Sequence, residues 1–201
     1  MIVTLIDYGA GNVTSVGRAL RLLDVEVSVT NSPAEIAEAR CLILPGVGHC
    51  AALITALDKH NLRQPILDAI SREVPFLGIC LGLQVFYAAS DEAPDLPGLC
   101  LLTGRVSLLP NTVKLPHMGW NQLRATRENR LLQGISPDAH FYFAHSYAAA
   151  HSGEETVATC EHGDVFTAVL ERNHLFGVQF HPEKSGAPGA QLLQNFLKVA
   201  A

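Results

Sequence analysis

The stretch VPFLGICLGLQVF, residues 74–86, changes its period halfway along. Residues 74–79 form an apolar run with one proline and no charge, which reads as a short buried strand. After Cys80, the apolar residues Leu83, Phe86 and Tyr87 fall at helical spacing. A cysteine is thus placed on a tight strand-to-helix turn, with Gly78 and Gly82 flanking it in the G-x-C-x-G form of a nucleophile elbow. Glycine tolerates the crowding that such a turn imposes. The thiol would stand at a helix N-terminus, whose partial positive charge favours an anionic sulphur. Buried free cysteines are commonly structural, so an elbow of this kind also needs a base and an oxyanion hole elsewhere in the chain.

The segments before this turn alternate strand and helix signals. Residues 2–6 form an apolar strand, and residues 7–11 a loop with two glycines. Asn12 is placed as the N-cap of a helix through Val16, Leu20 and Leu23. Residues 25–29 alternate as a strand, and Ser32-Pro33-Ala34-Glu35 has the form of a capping box with proline at the first helical position. Residues 41–44 make another buried strand, and helices near 51–57 and 65–70 precede the strand that delivers Cys80. Strands separated by helices in this order imply a parallel sheet with right-handed crossovers.

The second half changes character. Residues 106–109, 141–143, 156–160, 165–170 and 175–180 read as strands with short connections, which predicts antiparallel pairs joined to the main sheet. A final amphipathic helix over 189–199 carries Leu192, Leu193, Phe196 and Leu197, and the Pro/Gly-rich segment 93–98 reads as a loop. At 201 residues and 48% hydrophobic, the chain is long enough to bury a sizeable core as one domain, residues 1–201. The expected fold is α/β: a flavodoxin-like open parallel sheet flanked by helices, with an added mixed or antiparallel sheet in the second half.

Charge and cysteine usage exclude several function classes. A formal charge of −5 and a pI near 6.0 give no electrostatic reason to expect nucleic acid or an anionic membrane as partner. No apolar run approaches the roughly 20 residues that span a bilayer. The N-terminal MIVTLIDYG has no basic region and enters directly into a strand, which argues against a signal peptide. Cys41, Cys50, Cys80, Cys100 and Cys160 form no CxxC pair and leave an odd one over, which favours reduced thiols in a cytoplasm over a disulfide framework or a zinc site. All but Cys80 read as small apolar fillers.

A catalytic thiolate requires a base held by a third group. The segment LFGVQFHPEKS puts His181 and Glu183 just after an apolar strand, with Pro182 between them. Residues two apart on an extended segment project to the same side, so Glu183 would take the imidazole Nδ1–H and leave the other nitrogen for the thiol. A solvated strand end is the plain alternative. Metal ligation is weaker, because no second histidine lies at ligand spacing nearby. An oxyanion hole requires backbone N–H groups. Leu81, following the nucleophile, is the usual donor at an elbow, and Gly46-Val47-Gly48 follows the preceding strand as the candidate second donor. Both loops lie at strand carboxyl ends, where open α/β sheets bind ligands.

With these pieces in order, the chain resembles the class I, triad-type glutamine amidotransferases. LPGVG at 44–48, GICLGLQ at 78–84 and GVQFHPE at 177–183 carry the resemblance, which spans essentially the whole chain. DYGAGN at 7–12, LPHMGWN at 115–121, FYFAHSY at 141–147 and HPEKSG at 181–186 are similar to one branch, the glutaminase subunits of imidazole glycerol phosphate synthase. The resemblance implies that Cys80 attacks the glutamine side-chain amide, that His181 handles the proton, and that Glu183 orients His181. It also implies Val47 and Leu81 as oxyanion donors, and Gly46, Gly48, Gln84, Ser146 and Tyr147 around the substrate. Asn12, Trp120 and Lys184 match positions that face a (β/α)8-barrel cyclase subunit in a heterodimer. No cofactor and no metal are implied. MGW could equally be an ordinary turn around a core tryptophan, and His145 a satisfied strand histidine. Cys100 stands where related chains often have glycine.

Three other readings compete. A glutaminase could serve another synthase, such as the one that makes pyridoxal phosphate, although LPHMGWN speaks against it. A thiol hydrolase of γ-glutamyl peptides would share the cysteine and histidine without a partner. A non-enzymatic binding domain would leave Cys80, His181 and Glu183 without a task.

Overall fold

The computed structural model describes residues 1–10, 12–151 and 153–200. The first half builds β1 (Ile2–Ile6), α1 (Val13–Arg21), β2 (Glu26–Thr30), α2 (Pro33–Glu38), β3 (Leu42–Gly46), α3 (Cys50–Lys59), α4 (Arg63–Ser71), β4 (Phe76–Cys80) and α5 (Leu81–Gln84). Then follow β5 (Tyr87–Ser90), β6 (Leu102–Leu108), β7 (His117–Gln122), β8 (Arg124–Ala125), β9 (His140–His145), β10 (Tyr147–Ala149), β11 (Thr156–His162), β12 (Asp164–Arg172), β13 (Leu175–Val178) and α6 (Gly186–Ala200).

Among the described residues the main sheet has eight strands, in the order β2-β1-β3-β4-β13-β12-β11-β8. From β2 to β13 every pairing is parallel; β13-β12, β12-β11 and β11-β8 are antiparallel. The expected parallel sheet with an antiparallel extension is therefore present. β3 and β4, buried at every position, form the middle of the sheet, as strands covered on both faces do. A three-stranded sheet β10-β6-β5 and the antiparallel pair β7-β9 complete the second half. Among the described residues, no helix is long and apolar enough to cross a membrane.

Four local expectations differ from the structure. The helix after Cys80 ends at Gln84, and Tyr87 begins a strand. The carbonyl of Val85 accepts from Leu99 N–H, and that of Phe86 from Leu101 and Leu102 N–H, so long-range partners draw the chain out of the helix before its apolar spacing is used up. MGW lies inside β7 rather than in a turn, because residues 117–122 pair along the whole of β9. Asn12 precedes α1 but makes no side-chain cap; its amide has another partner, described below. Cys100 is exposed rather than a core filler, and holds a left-handed backbone at φ 54°, a conformation that suits glycine there.

Candidate active site

Three loops meet at the carboxyl edge of the parallel strands, those following β3, β4 and β13. In the β3-β4 register Gly46 faces Cys80, which brings the Gly46-Val47-Gly48 turn alongside the elbow. Close packing of α5 on β3 makes this juxtaposition possible. A Cβ on Gly46 would overlap Gly82 N and Leu81, and one on Gly82 would overlap the Leu44 carbonyl. Cys80 itself has φ 55° and ψ −109°, a strained backbone for a residue with a side chain, held by buried strand on one side and packed helix on the other.

Because α5 is a single turn, little dipole is available to an anionic sulphur. A side chain supplies what the helix does not: Gln179 Nε2 donates to Cys80 Sγ at 3.6 Å. Gln179 is fully buried, and its Oε1 accepts from Gln84 Nε2 at 3.1 Å, while Gln84 also donates to the Tyr147 carbonyl at 2.7 Å. Gln84 and Tyr147, expected at the substrate site, are thus joined to the cysteine through a glutamine that the sequence reading passed over. Its only signal was its place in GVQFHPE.

His181 and Glu183 meet as expected, with Nδ1 and Oε1 2.9 Å apart, although the route differs. Residues 182–184 form a 3-10 turn, not an extended segment, closed by Lys184 N–H to the His181 carbonyl and Ser185 N–H to the Pro182 carbonyl. The Ser185 hydroxyl donates to the His181 carbonyl at 2.7 Å and accepts from Tyr142 N–H at 3.0 Å, fixing the turn to β9. Burial alone pulls His181 down, but the Cys80 thiol and the Glu183 carboxylate beside it outweigh that and push it up to about 10.

The second candidate oxyanion donor is occupied. Val47 N–H donates to the Tyr8 hydroxyl at 3.0 Å, and the same hydroxyl donates to the Val47 carbonyl at 3.1 Å. Nothing in the sequence pairs residues so far apart.

The three expected partner-facing residues lie near one another. Trp120 is 57% exposed on β7 and stands edge-on to Tyr142, over whose ring Lys184 Nζ sits at 5.6 Å. Asn12 Nδ2 donates to Glu183 Oε1 at 3.2 Å. Tyr142, which the sequence reading missed, is the ring that joins Trp120 to Lys184.

Beside Tyr147, one of the expected substrate residues, runs a chain of neutral histidines. His145 Nδ1–H donates to the Tyr147 carbonyl at 2.9 Å. Its Nε2 then accepts from His117 Nδ1–H at 3.2 Å, and His117 Nε2 from Asn121 Nδ2 at 3.3 Å. His145 is therefore the satisfied strand histidine of the plain reading. Burial, joined by the neighbouring His162, lowers His117 to about 4; burial, joined by His117, lowers His145 to about 3. Among the described residues no group of three or more His, Cys, Asp or Glu could hold a metal ion. A cavity of about 1330 Å³, walled by Arg127, Arg130, Glu171 and His174 among others, lies apart from Cys80, His181 and Glu183.

Comparison with known proteins identifies the family. Residues 4–200 match the family Glutamine amidotransferase class-I. The chain is 47% identical over 195 residues to the imidazole glycerol phosphate synthase subunit HisH of Moorella thermoacetica, covering 96% of this chain and 93% of that one. It is 42% identical to the subunit of the same name from Methanothermobacter thermautotrophicus, over 98% of both. A crystal structure of a glutamine amidotransferase superposes with a TM-score of 0.79 at 18% identity, covering 100% of this chain and 99% of that one, a likeness of fold. The chain belongs to the class-I glutamine amidotransferases and, within them, to the HisH subunits of imidazole glycerol phosphate synthase.

Proposed function

We propose that Cys80, His181 and Glu183 hydrolyse the side-chain amide of glutamine and that the ammonia passes to a (β/α)8-barrel cyclase subunit in histidine biosynthesis. The reading rests above all on the buried His181–Glu183 pair at 2.9 Å beside Cys80. The Cys80 sulphur attacks the amide carbon, and the resulting oxyanion is met by the backbone N–H of Leu81 and, once it leaves the Tyr8 hydroxyl, by that of Val47. His181, which keeps its proton while the sulphur is charged, delivers it to the leaving nitrogen as the C–N bond breaks. Ammonia leaves, and a γ-glutamyl thioester remains. The sulphur is then neutral, so the pull that held the proton is gone and His181 can accept one from water. Hydroxide attack on the thioester returns the thiol and glutamate. Glu183 holds Nδ1–H throughout.

Gly46, Gly48, Gln84, Ser146 and Tyr147 surround the glutamine in this reading. Asn12, Trp120 and Lys184 meet the cyclase in a heterodimer, and residues 1–201 act as one unit in the cytoplasm. An exposed tryptophan and a lysine that meet the same Tyr142 ring fit an interface anchor better than a bare surface.

The test is glutamate production from glutamine by the chain alone, with a barrel cyclase, and with cyclase plus its nucleotide acceptor, each beside Cys80→Ala. Activation by cyclase and nucleotide, abolished by Cys80→Ala, is expected. Full activity of the chain alone would point to a free-standing hydrolase, and turnover surviving Cys80→Ala would overturn the site.

A further inference from the structure

β13 runs parallel to β4 with Val178 beside Ile79, which brings the next residues, Gln179 and Cys80, side by side. α5 lies so close to β13 that a Cβ on Gly177 would overlap Leu83, and the residue after Leu83 is Gln84. The two buried glutamines continue from the sulphur in one hydrogen-bonded row, and their partners fix which way each amide faces. The Tyr147 carbonyl can only accept, so the Gln84 atom 2.7 Å from it is the amino nitrogen. The other contact of that nitrogen, at 3.1 Å, must then be the Gln179 oxygen. This turns the Gln179 amino group toward Cys80 Sγ at 3.6 Å. The Tyr147 carbonyl is itself held by His145 Nδ1–H at 2.9 Å. Every polarity in the row follows from one backbone acceptor.

We propose that Gln179 is a fourth catalytic residue, whose side-chain N–H stabilises the Cys80 thiolate before attack, and that Gln84 and the Tyr147 carbonyl are positioning groups that keep this donor aimed at the sulphur. The inference rests on the reading of Cys80 as the nucleophile. The thiol proton goes to His181; Gln179 keeps its own protons and supplies a hydrogen bond alone. A donor with no solvent exposure cannot exchange the sulphur for water, and an anion in so buried a place needs such a partner. A lysine or arginine there would also hold the thiolate, but its charge would oppose the imidazolium that forms beside it. The neutral amide serves the sulphur without that cost. Once the thioester forms, the sulphur is a weak acceptor, so the stabilisation is confined to the steps in which sulphur carries charge.

Two readouts of the free chain at neutral pH test it: the ultraviolet thiolate absorbance that Cys80→Ala removes, and the rate at which iodoacetamide labels Cys80, mapped by mass spectrometry. They are followed for wild type, Gln179→Met, which keeps the length of the side chain but has no donor, and Gln84→Met, with thermal unfolding recorded for each. In folded Gln179→Met the thiolate absorbance should largely vanish and labelling of Cys80 should slow by about ten-fold or more, the worth of one hydrogen bond to a charged group. Gln84→Met leaves the sulphur contact in place but frees the Gln179 amide to turn, so labelling should slow by a smaller factor, about three-fold. Wild-type absorbance and labelling in folded Gln179→Met would overturn the inference, and the same result in Gln84→Met would overturn the positioning role. Should Gln179→Met not fold, the wild-type side chain still decides: its Nε2–H resonances should shift when Cys80 is alkylated or replaced by alanine, and unmoved resonances would overturn the contact. Turnover surviving Cys80→Ala would instead defeat the site reading, a result distinct from any of these.

Discussion

Asn12 and Glu183 are joined side chain to side chain, and the Glu183 oxygen that accepts from Asn12 Nδ2 is the one that faces His181 Nδ1. The other oxygen, Oε2, is buried and has no partner among the described residues. Two donors at one atom therefore hold a carboxylate whose side chain has no solvent exposure. Asn12 sits at the start of α1, so the segment proposed to face the cyclase is in direct contact with a member of the proposed triad.

Removing that donor should loosen Glu183 without touching the substrate. Hydrogen bonds to charged groups contribute about 1.5–3 kcal/mol, so Asn12→Ala should lower kcat by roughly ten- to a hundred-fold, with KM little changed. Steady-state kinetics at saturating cyclase separate this from weaker assembly. Asn12→Asp, which sets a second carboxylate against the first, should be worse than alanine; equal kinetics for wild type and Asn12→Ala would show that Glu183 is held by His181 alone.

Gly82 carries the packing of the elbow. A methyl there would overlap the Leu44 carbonyl, a backbone atom in the middle of the sheet that has little freedom to yield. Gly82→Ala should cost about 3 kcal/mol, a fall in Tm of about 6–12 °C for a chain of this size. Cys80 would be displaced with α5, so glutaminase activity should fall even at temperatures where the variant is folded. Calorimetry and an activity measurement at 20 °C or thereabouts check both parts, and a wild-type Tm would refute the packing argument.

The His117–His145 chain should make the fold sensitive to acid. Both rings are neutral when folded, down to about 4 for His117 and about 3 for His145, whereas unfolded histidine takes up its proton near 6.5. Between those values the unfolded state binds more protons, so stability is full above about pH 6.5 and falls as pH drops toward 4 and then 3. Urea unfolding from pH 7 to 4.5 should show a steeper loss for wild type than for His117→Gln. Parallel profiles would mean that carboxylates alone set the acid limit.

Trp120 should behave as an anchor. It lies 57% exposed with Met118 on the same face of β7, at 64%. Trp120→Ala should weaken binding to the cyclase by about 2 kcal/mol or more, roughly thirty-fold in Kd, while Tm barely moves. Titration calorimetry against the cyclase measures it; unaltered affinity would place the interface elsewhere.

Most of the chain's architecture was legible locally. Apolar runs punctuated by glycine and proline located β1, β3, β4 and the helices between them, because buried parallel strands and amphipathic helices each leave their own period in the sequence. The same signal placed Cys80 on its turn and His181 at a strand end. What it lacked was every relationship set by atoms far apart in the chain. The helix after Cys80 stops at Gln84 because residues 99–102 claim the Val85 and Phe86 carbonyls. MGW is a strand because β9 pairs with it. Asn12 left its cap for Glu183, 171 positions away, and Tyr8 found Val47 at a separation of 39. Local periodicity reports which face of a segment is buried. Which donor meets which acceptor is decided only when the sheet brings distant loops to one edge, and there the unpaired polar groups choose partners that no local pattern encodes.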